Sequence, residues 1–197
     1  MSDQVNKTSK QELLKQLFQS FTTGIRSFRS VKPREWLESK GINFNEIEVG
    51  FSSGQFSHRK SEEFKQAYVN IGVLVPSNAP VRLPHLKAFK VFGAYSIVFP
   101  LKNEEGAICN LYGISMRVKK GKTEYLNEEG LYPGYPSAFT KRLFITSTVL
   151  DAASLIQSKI LENRDAVIAL HDGELKDQHI QAIGKLKQLQ EIIFIQL

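Results

Sequence analysis

A single cysteine, Cys109, stands in a chain of 197 residues. Without a second thiol no disulfide can form within the chain, and neither a zinc finger nor a cysteine-held cluster can be assembled from it. Any metal would have to be held by oxygen or imidazole. Long apolar runs are also missing: none reaches the roughly 18 residues needed to cross a bilayer. The polar opening stretch, residues 1–11, lacks the apolar segment of a secretion signal, so a soluble cytoplasmic protein with no membrane association is expected. There is no internal repeat and no low-complexity tract. What is present is apolar material, 42% of residues, enough to bury a core.

Charge is unevenly placed. Residues 1–143 hold 21 Lys/Arg against 13 Asp/Glu, whereas residues 144–197 hold 5 against 7. The basic excess therefore belongs wholly to the first part, which suits either a polyanionic partner or plain solubility.

The first part reads as a small helical unit with short strands. Ser9-Lys-Gln-Glu12 is a capping-box pattern followed by Leu13, Leu14, Leu17 and Phe18 at helical spacing, which predicts a helix over 9–22. Pro33, Trp36, Leu37 and the stop at Gly41 predict a second helix over 33–40. A third starts at Ser61, with Phe64, Ala67 and Tyr68 inward, and ends before Gly72. Apolar runs at 95–101 and 107–117, joined by the polar turn 102–106, predict a β-hairpin. The Gly-, Pro- and Tyr-rich stretch 118–139 reads as a surface crossing.

The last 55 residues alternate: strand 143–146, helix 149–161 with Leu150, Ala153, Leu155 and Ile156 inward, strand 166–170, helix 178–189, strand 191–197. The right-handed crossover rule closes this βαβαβ run into a small parallel sheet. Ser147 and Thr148 occupy the turn after its first strand, so no glycine-rich phosphate loop is present. The fold class is α/β: an α+β N-terminal subdomain, residues 1–142, followed by a parallel-sheet unit, residues 143–197.

Several pieces, taken in order, resemble the catalytic core of bacterial DnaG-type primases. Arg34-Glu-Trp-Leu37-Glu-Ser-Lys-Gly41-Ile42 is similar to that family's "YL..RG(I/L)", Glu48-Val-Gly50-Phe51 to "IGY", and Gly72-Val-Leu74 to the "GL" that closes its next helix. Ser96-Ile-Val-Phe99-Pro100-Leu101 resembles "RI.FPI", and the stretch from Gly106 to Gly113 a worn "G.V.GFGGR". Tyr125-Leu126-Asn127 resembles "KYLN", and the run from Leu143 to Asp151 the "EGYMD" strand, turn and helix that open a TOPRIM domain. Shared order and spacing carry the resemblance over residues 30–197. It implies that the final unit is TOPRIM-like.

The family's chemistry uses carboxylates that hold divalent ions for phosphoryl transfer. At the matching positions this chain has Ser147 for the glutamate of "EGYMD" and Thr148 for its glycine, keeping only Asp151. No Asp-x-Asp follows Asp151, and the sequence ends with the strand that precedes the family's "DGDxAG". Family arginines fall at Ser96 and Ile114, and a family lysine at Glu124. Loss of such cations removes phosphate contacts. The resemblance thus implies the primase fold without metal-dependent polymerisation or a preceding zinc module.

Candidate sites follow. Asp151 suits either a metal ligand or an acid in the first turn of a capped helix. His171-Asp172-Gly173-Glu174 lies where ligands of open α/β sheets sit and suits either a replacement metal site or a polar turn. Candidate nucleic-acid contacts are Arg26, Arg29, Lys32, Arg34, Arg59, Lys60, Arg117, Lys119, Lys120, Lys122, Lys141 and Arg142. Phe28, Phe56, Tyr125 and Tyr135 suit base stacking or internal packing. Three readings result. The first is a primase-like protein of DNA replication or a mobile element that binds single-stranded DNA or RNA, or a replication protein, and needs no cofactor. The second is an active primase or phosphotransferase whose Asp151, Asp172 and Glu174 hold magnesium. The third is a protein-interaction scaffold.

Overall fold

Ser9 sets the start of the first helix. Its hydroxyl accepts the Glu12 N–H at 3.2 Å and caps helix α1, Lys10–Arg26. The computed structural model describes residues 9–78, 88–117 and 121–195. Helix α1 runs four residues beyond the expected end because its apolar stripe continues through Phe21 to Ile25, both buried. Helix α2, Val31–Ser39, begins two residues before Pro33, and Gly41 leaves the helix at φ +71°. That left-handed stop is the reason a glycine suits this position.

Ser61 caps helix α3, Glu62–Asn70, through the Phe64 N–H at 3.2 Å. Tyr68 is fully buried there, with Phe64 and Ala67 half-buried beside it. Strands β1, Gly50–Ser52, and β2, Leu74–Ser77, flank α3; β2 pairs antiparallel with β3, Ala88–Val91. The expected hairpin is β4, Ser96–Lys102, against β5, Ile108–Ser115. One strand lies in the stretch read as a crossing: β6, Thr123–Tyr125, pairs with Tyr112–Ile114 and completes a sheet ordered β1-β4-β5-β6.

Strand alternation gives this sheet two loaded faces. Val98 and Leu111 point to α1 and α3, whereas Ile97, Phe99, Leu101, Tyr112 and Ile114 point to the last unit. At the first face Gly50 lies so close to α1 that a Cβ would sit 2.6 Å from that of Phe21. Only glycine allows that approach. Burying Phe99 completely between the units is worth about 2–3 kcal/mol.

The last unit is parallel, as expected: β7, Arg142–Thr146; α4, Val149–Gln157; β8, Asp165–Ala169; α5, Asp177–Gly184; β9, Glu191–Ile195, in the order β8-β7-β9. Both helices are shorter than the apolar pattern predicts. Lys159 takes φ +57° and turns the chain after α4, and α5 gives way to turns after Gly184. The inward face of α4 also differs from the expectation. Val149, Ala152, Ala153 and Leu155 are buried, while Leu150 and Ile156 lie half-buried at its margin. Small residues let the helix approach the sheet. The division expected after residue 142 falls inside β7, and one apolar cluster joins Ile97 and Phe99 to Val149, Ala153 and Val167 across it. No helix among the described residues is long and apolar enough to cross a membrane.

Candidate nucleic-acid interface

The cleft between the units is built by three segments: the turn after β7, the turn after β8, and the β5–β6 pair opposite. Thr148 caps α4; its hydroxyl accepts the Asp151 N–H at 3.1 Å and donates to Asp151 Oδ2 at 2.8 Å. Asp151 thus stands as an acid in the first turn of a capped helix, facing its positive end. The 171–174 segment forms a closed turn. The His171 N–H donates to Glu174 O at 3.2 Å, the Glu174 N–H returns to His171 O at 3.0 Å, and the Gly173 N–H ties the turn to Ser147 O at 3.0 Å.

Asp172, exposed and at φ +50°, reaches back to the antiparallel sheet. Its Oδ2 accepts the Thr123 hydroxyl at 3.1 Å, and its Oδ1 lies 3.5 Å from the Tyr112 hydroxyl. Glu174 pairs with the Lys176 ammonium, which holds its carboxyl below the usual range. Among the described residues no three His, Cys, Asp or Glu side chains gather where they could hold a metal ion.

Behind the carboxylates lies an aromatic wall. Tyr112 packs on Tyr125 with centroids 4.7 Å apart, and Tyr125 stacks on His171. Burial, and the nearby Asp172 carboxylate, push both phenols well above their ordinary range. His171 Nε2 lies 3.1 Å from Gly130 O and His179 Nε2 lies 3.0 Å from Ala169 O. His179 Nδ1 accepts the Lys176 N–H at 3.0 Å. Burial lowers both imidazole pKa values, and the two rings depress His171 further by facing each other.

Thr123, Tyr112 and His179 were not singled out by sequence. One signal existed: Tyr112 replaces a glycine of the motif "G.V.GFGGR". The positions that the resemblance matches to cations hold other groups. Ser96 and Ile114 are 1% and 4% exposed, and the Glu124 carboxylate accepts the Gly93 N–H at 2.8 Å.

The described basic candidates do not form one surface. Arg34 is turned inward and donates to Ile25 O at 3.0 Å and Ser27 O at 2.6 Å, tying α2 to the end of α1. Arg142 grips Asp165 through Nε at 2.8 Å and Nη2 at 2.6 Å, a bidentate pair that lowers the Asp165 carboxyl. Lys141 is half-buried beside it. Arg26, Lys32, Arg59, Arg117 and Lys122 are exposed, Arg117 over the Tyr95 ring. Arg29 and Lys60 do come together, at a groove between α1, the 53–60 loop and α3. Lys119 and Lys120 lie outside the described residues. Of the candidate stacking residues, Phe28 is 80% exposed. Phe56 packs with Phe21, Phe64 and Tyr68, Tyr125 with Tyr112 and His171, and Tyr135 against the apolar cluster under α5.

No family model matches the chain, and no curated protein sequence does. Solved structures do. A DNA primase domain from Pseudomonas aeruginosa superposes at TM-score 0.75 and 16% identity, covering 94% of this chain and 60% of its own. A DnaG primase catalytic domain bound to single-stranded DNA gives 0.70 and 15%, with the same coverage of 94% and 60%. The RNA polymerase domain of Mycobacterium tuberculosis primase DnaG in complex with double-stranded DNA gives 0.68 and 11%, covering 95% and 64%. The chain spans about three fifths of the length of these structures. Through the helical unit, the antiparallel sheet and the parallel β8-β7-β9 unit, the chain has the fold of the DnaG-type primase catalytic core.

Proposed function

We propose that this chain is a primase-like protein of DNA replication that binds single-stranded nucleic acid and does not polymerise nucleotides with divalent metal. One observation carries the reading: the candidate metal-binding acids of the TOPRIM-like cleft already serve the fold. Asp151 completes the cap with Thr148, Asp172 joins the two units through Thr123, and Glu174 pairs with Lys176. Magnesium wants several oxygen ligands in near-octahedral array, and two-ion phosphoryl transfer needs shared carboxylates. The donor set here does not fit such a pair. Ser147 offers a neutral hydroxyl where the family has a glutamate, and the cations that would meet nucleotide phosphates are replaced by Ser96, Ile114 and Glu124.

Binding is supported from another side. Exposed cations concentrate before β4, with Arg29, Lys32, Arg59 and Lys60 foremost. Solved structures of the same fold hold single- or double-stranded DNA. Each phosphate neutralised releases counterions, so affinity for a single strand falls with salt at a slope of about −0.7 per contact. A replication enzyme acting on the same strand is the partner this role suits, in a chromosome or a mobile element.

The test is a titration of the purified chain with a labelled single-stranded oligonucleotide at two salt concentrations. Affinity that drops steeply between about 50 and about 200 mM salt is expected. Absent or salt-independent binding contradicts the reading.

A further inference from the structure

We infer that the single strand runs through the groove between α1, the 53–60 loop and α3, on the side of the four-stranded sheet turned away from the parallel unit, and not through the cleft. The inference rests on the nucleic-acid reading above and adds its path.

The groove encloses about 750 Å³, within the roughly 300–1,000 Å³ range of small-ligand sites. Three cationic or titratable bases line it: Arg29, His58 and Lys60. All three are exposed, and none is ion-paired with another described residue. No Asp or Glu is among the described residues that line it. Neutral donors, including Ser27, Ser53 and Gln55, fill the intervals. One wall is aromatic: Phe56 and Phe64 meet at 5.3 Å, with the Lys60 ammonium 5.0 Å over the Phe64 ring. Beside Arg29, at 5.3 Å from its guanidinium, stands Phe28, 80% exposed. A large apolar ring held in water under a cation is a base-stacking platform.

The competing surfaces lack this combination. A second groove beside α1 alternates Glu12, Glu48 and Glu105 with Lys15, Arg26 and Lys102, which cancels its field. The cleft carries Asp172, Glu124 and the ion-paired Glu174 and Lys176, a net negative set. A polyanion is repelled there and attracted to the groove. The faces are also physically separate: Val98 and Leu111 point toward the α1–α3 side, Phe99 and Tyr112 toward the cleft.

The experiment uses the whole chain, a fluorescein-labelled oligothymidylate of about 12 nucleotides, and two charge-matched variants, R29E/K60E in the groove and R117E/K122E on the rival side. Groove reversal is expected to weaken binding about tenfold or more and to flatten the salt slope by about 1.4, two contacts at 0.7 each; the rival variant loses less than about threefold. In parallel, photocrosslinking of a 5-iodouracil oligonucleotide to the unaltered chain is expected to label peptides within residues 51–68. Equal losses in both variants, a larger loss in R117E/K122E, or crosslinks confined to residues 121–125 and 171–174 overturn the path and leave strand binding standing. No binding by the unaltered chain overturns the functional reading itself.

Discussion

The imidazole of His171 lies stacked on the ring of Tyr125, centroids 4.6 Å apart and planes 24° from parallel. The contact joins β6 of the antiparallel sheet to the turn after β8, so it fastens one unit to the other. His179 meets His171 edge-on at 5.1 Å, extending the contact into α5. Asp172 and Lys176 are the charged groups acting on this pair, the first favouring the imidazolium form of His171 and the second opposing it. Burial outweighs both and favours the neutral rings.

This contact makes stability depend on mild acid. Both imidazole pKa values are depressed below 6.5 in the folded chain, so the unfolded chain takes up protons first as pH falls. The stabilisation is complete above about pH 6.5 and is lost as pH falls through that value toward the folded-state pKa. Urea unfolding at pH 7.5 and 5.5 should show a lower midpoint at pH 5.5. In the H171Q/H179Q variant the difference between the two midpoints should shrink. An unchanged difference in that variant would show that other groups carry it.

Asn110 has a comparable fastening role inside the first unit. Fully buried, it donates to Asn127 O at 2.7 Å and Glu129 O at 2.8 Å and accepts the Asn127 N–H at 3.0 Å. N110A strands these backbone groups in the core and should cost about 2–4 kcal/mol. Denaturant unfolding measures it; a loss below about 1 kcal/mol would mean that water or a shifted backbone replaces the network.

Arg34 and Arg29 stand five positions apart and are predicted to behave oppositely. Arg34 satisfies carbonyls at the end of α1, so R34M should lower stability by about 1–2 kcal/mol and leave the salt slope of strand binding unchanged. R29A should leave the unfolding midpoint unchanged and reduce the slope by about 0.7. Paired unfolding curves and salt titrations separate the two.

That contrast marks the limit of what sequence shows. The caps at Ser9 and Ser61, the hairpin and the parallel unit are legible because each is written locally, in a hydroxyl at a helix start or an apolar period. Strand β6 is not, since three residues carry no period and their pairing depends on β5. Helix α4 is closed by the turn at Lys159, φ +57°, and α5 stops at Gly184, each against an apolar pattern that runs on. In the site, Asp151 is legible as a cap acid because Thr148 precedes it at capping distance. Arg34 and Arg142 read like any surface cation, and only their inward bonds distinguish them. Thr123 acquires its part from Asp172, 49 residues away, which no local spacing encodes.

The central claim is that the primase fold persists here with its cleft acids committed to structure. It is tested most directly by incubating the purified chain with a single-stranded DNA template and labelled ribonucleotides, over a range of magnesium and manganese concentrations. No template-directed product is predicted at any concentration. Primers that depend on the template, appear with the intact chain and vanish on chelation would contradict it.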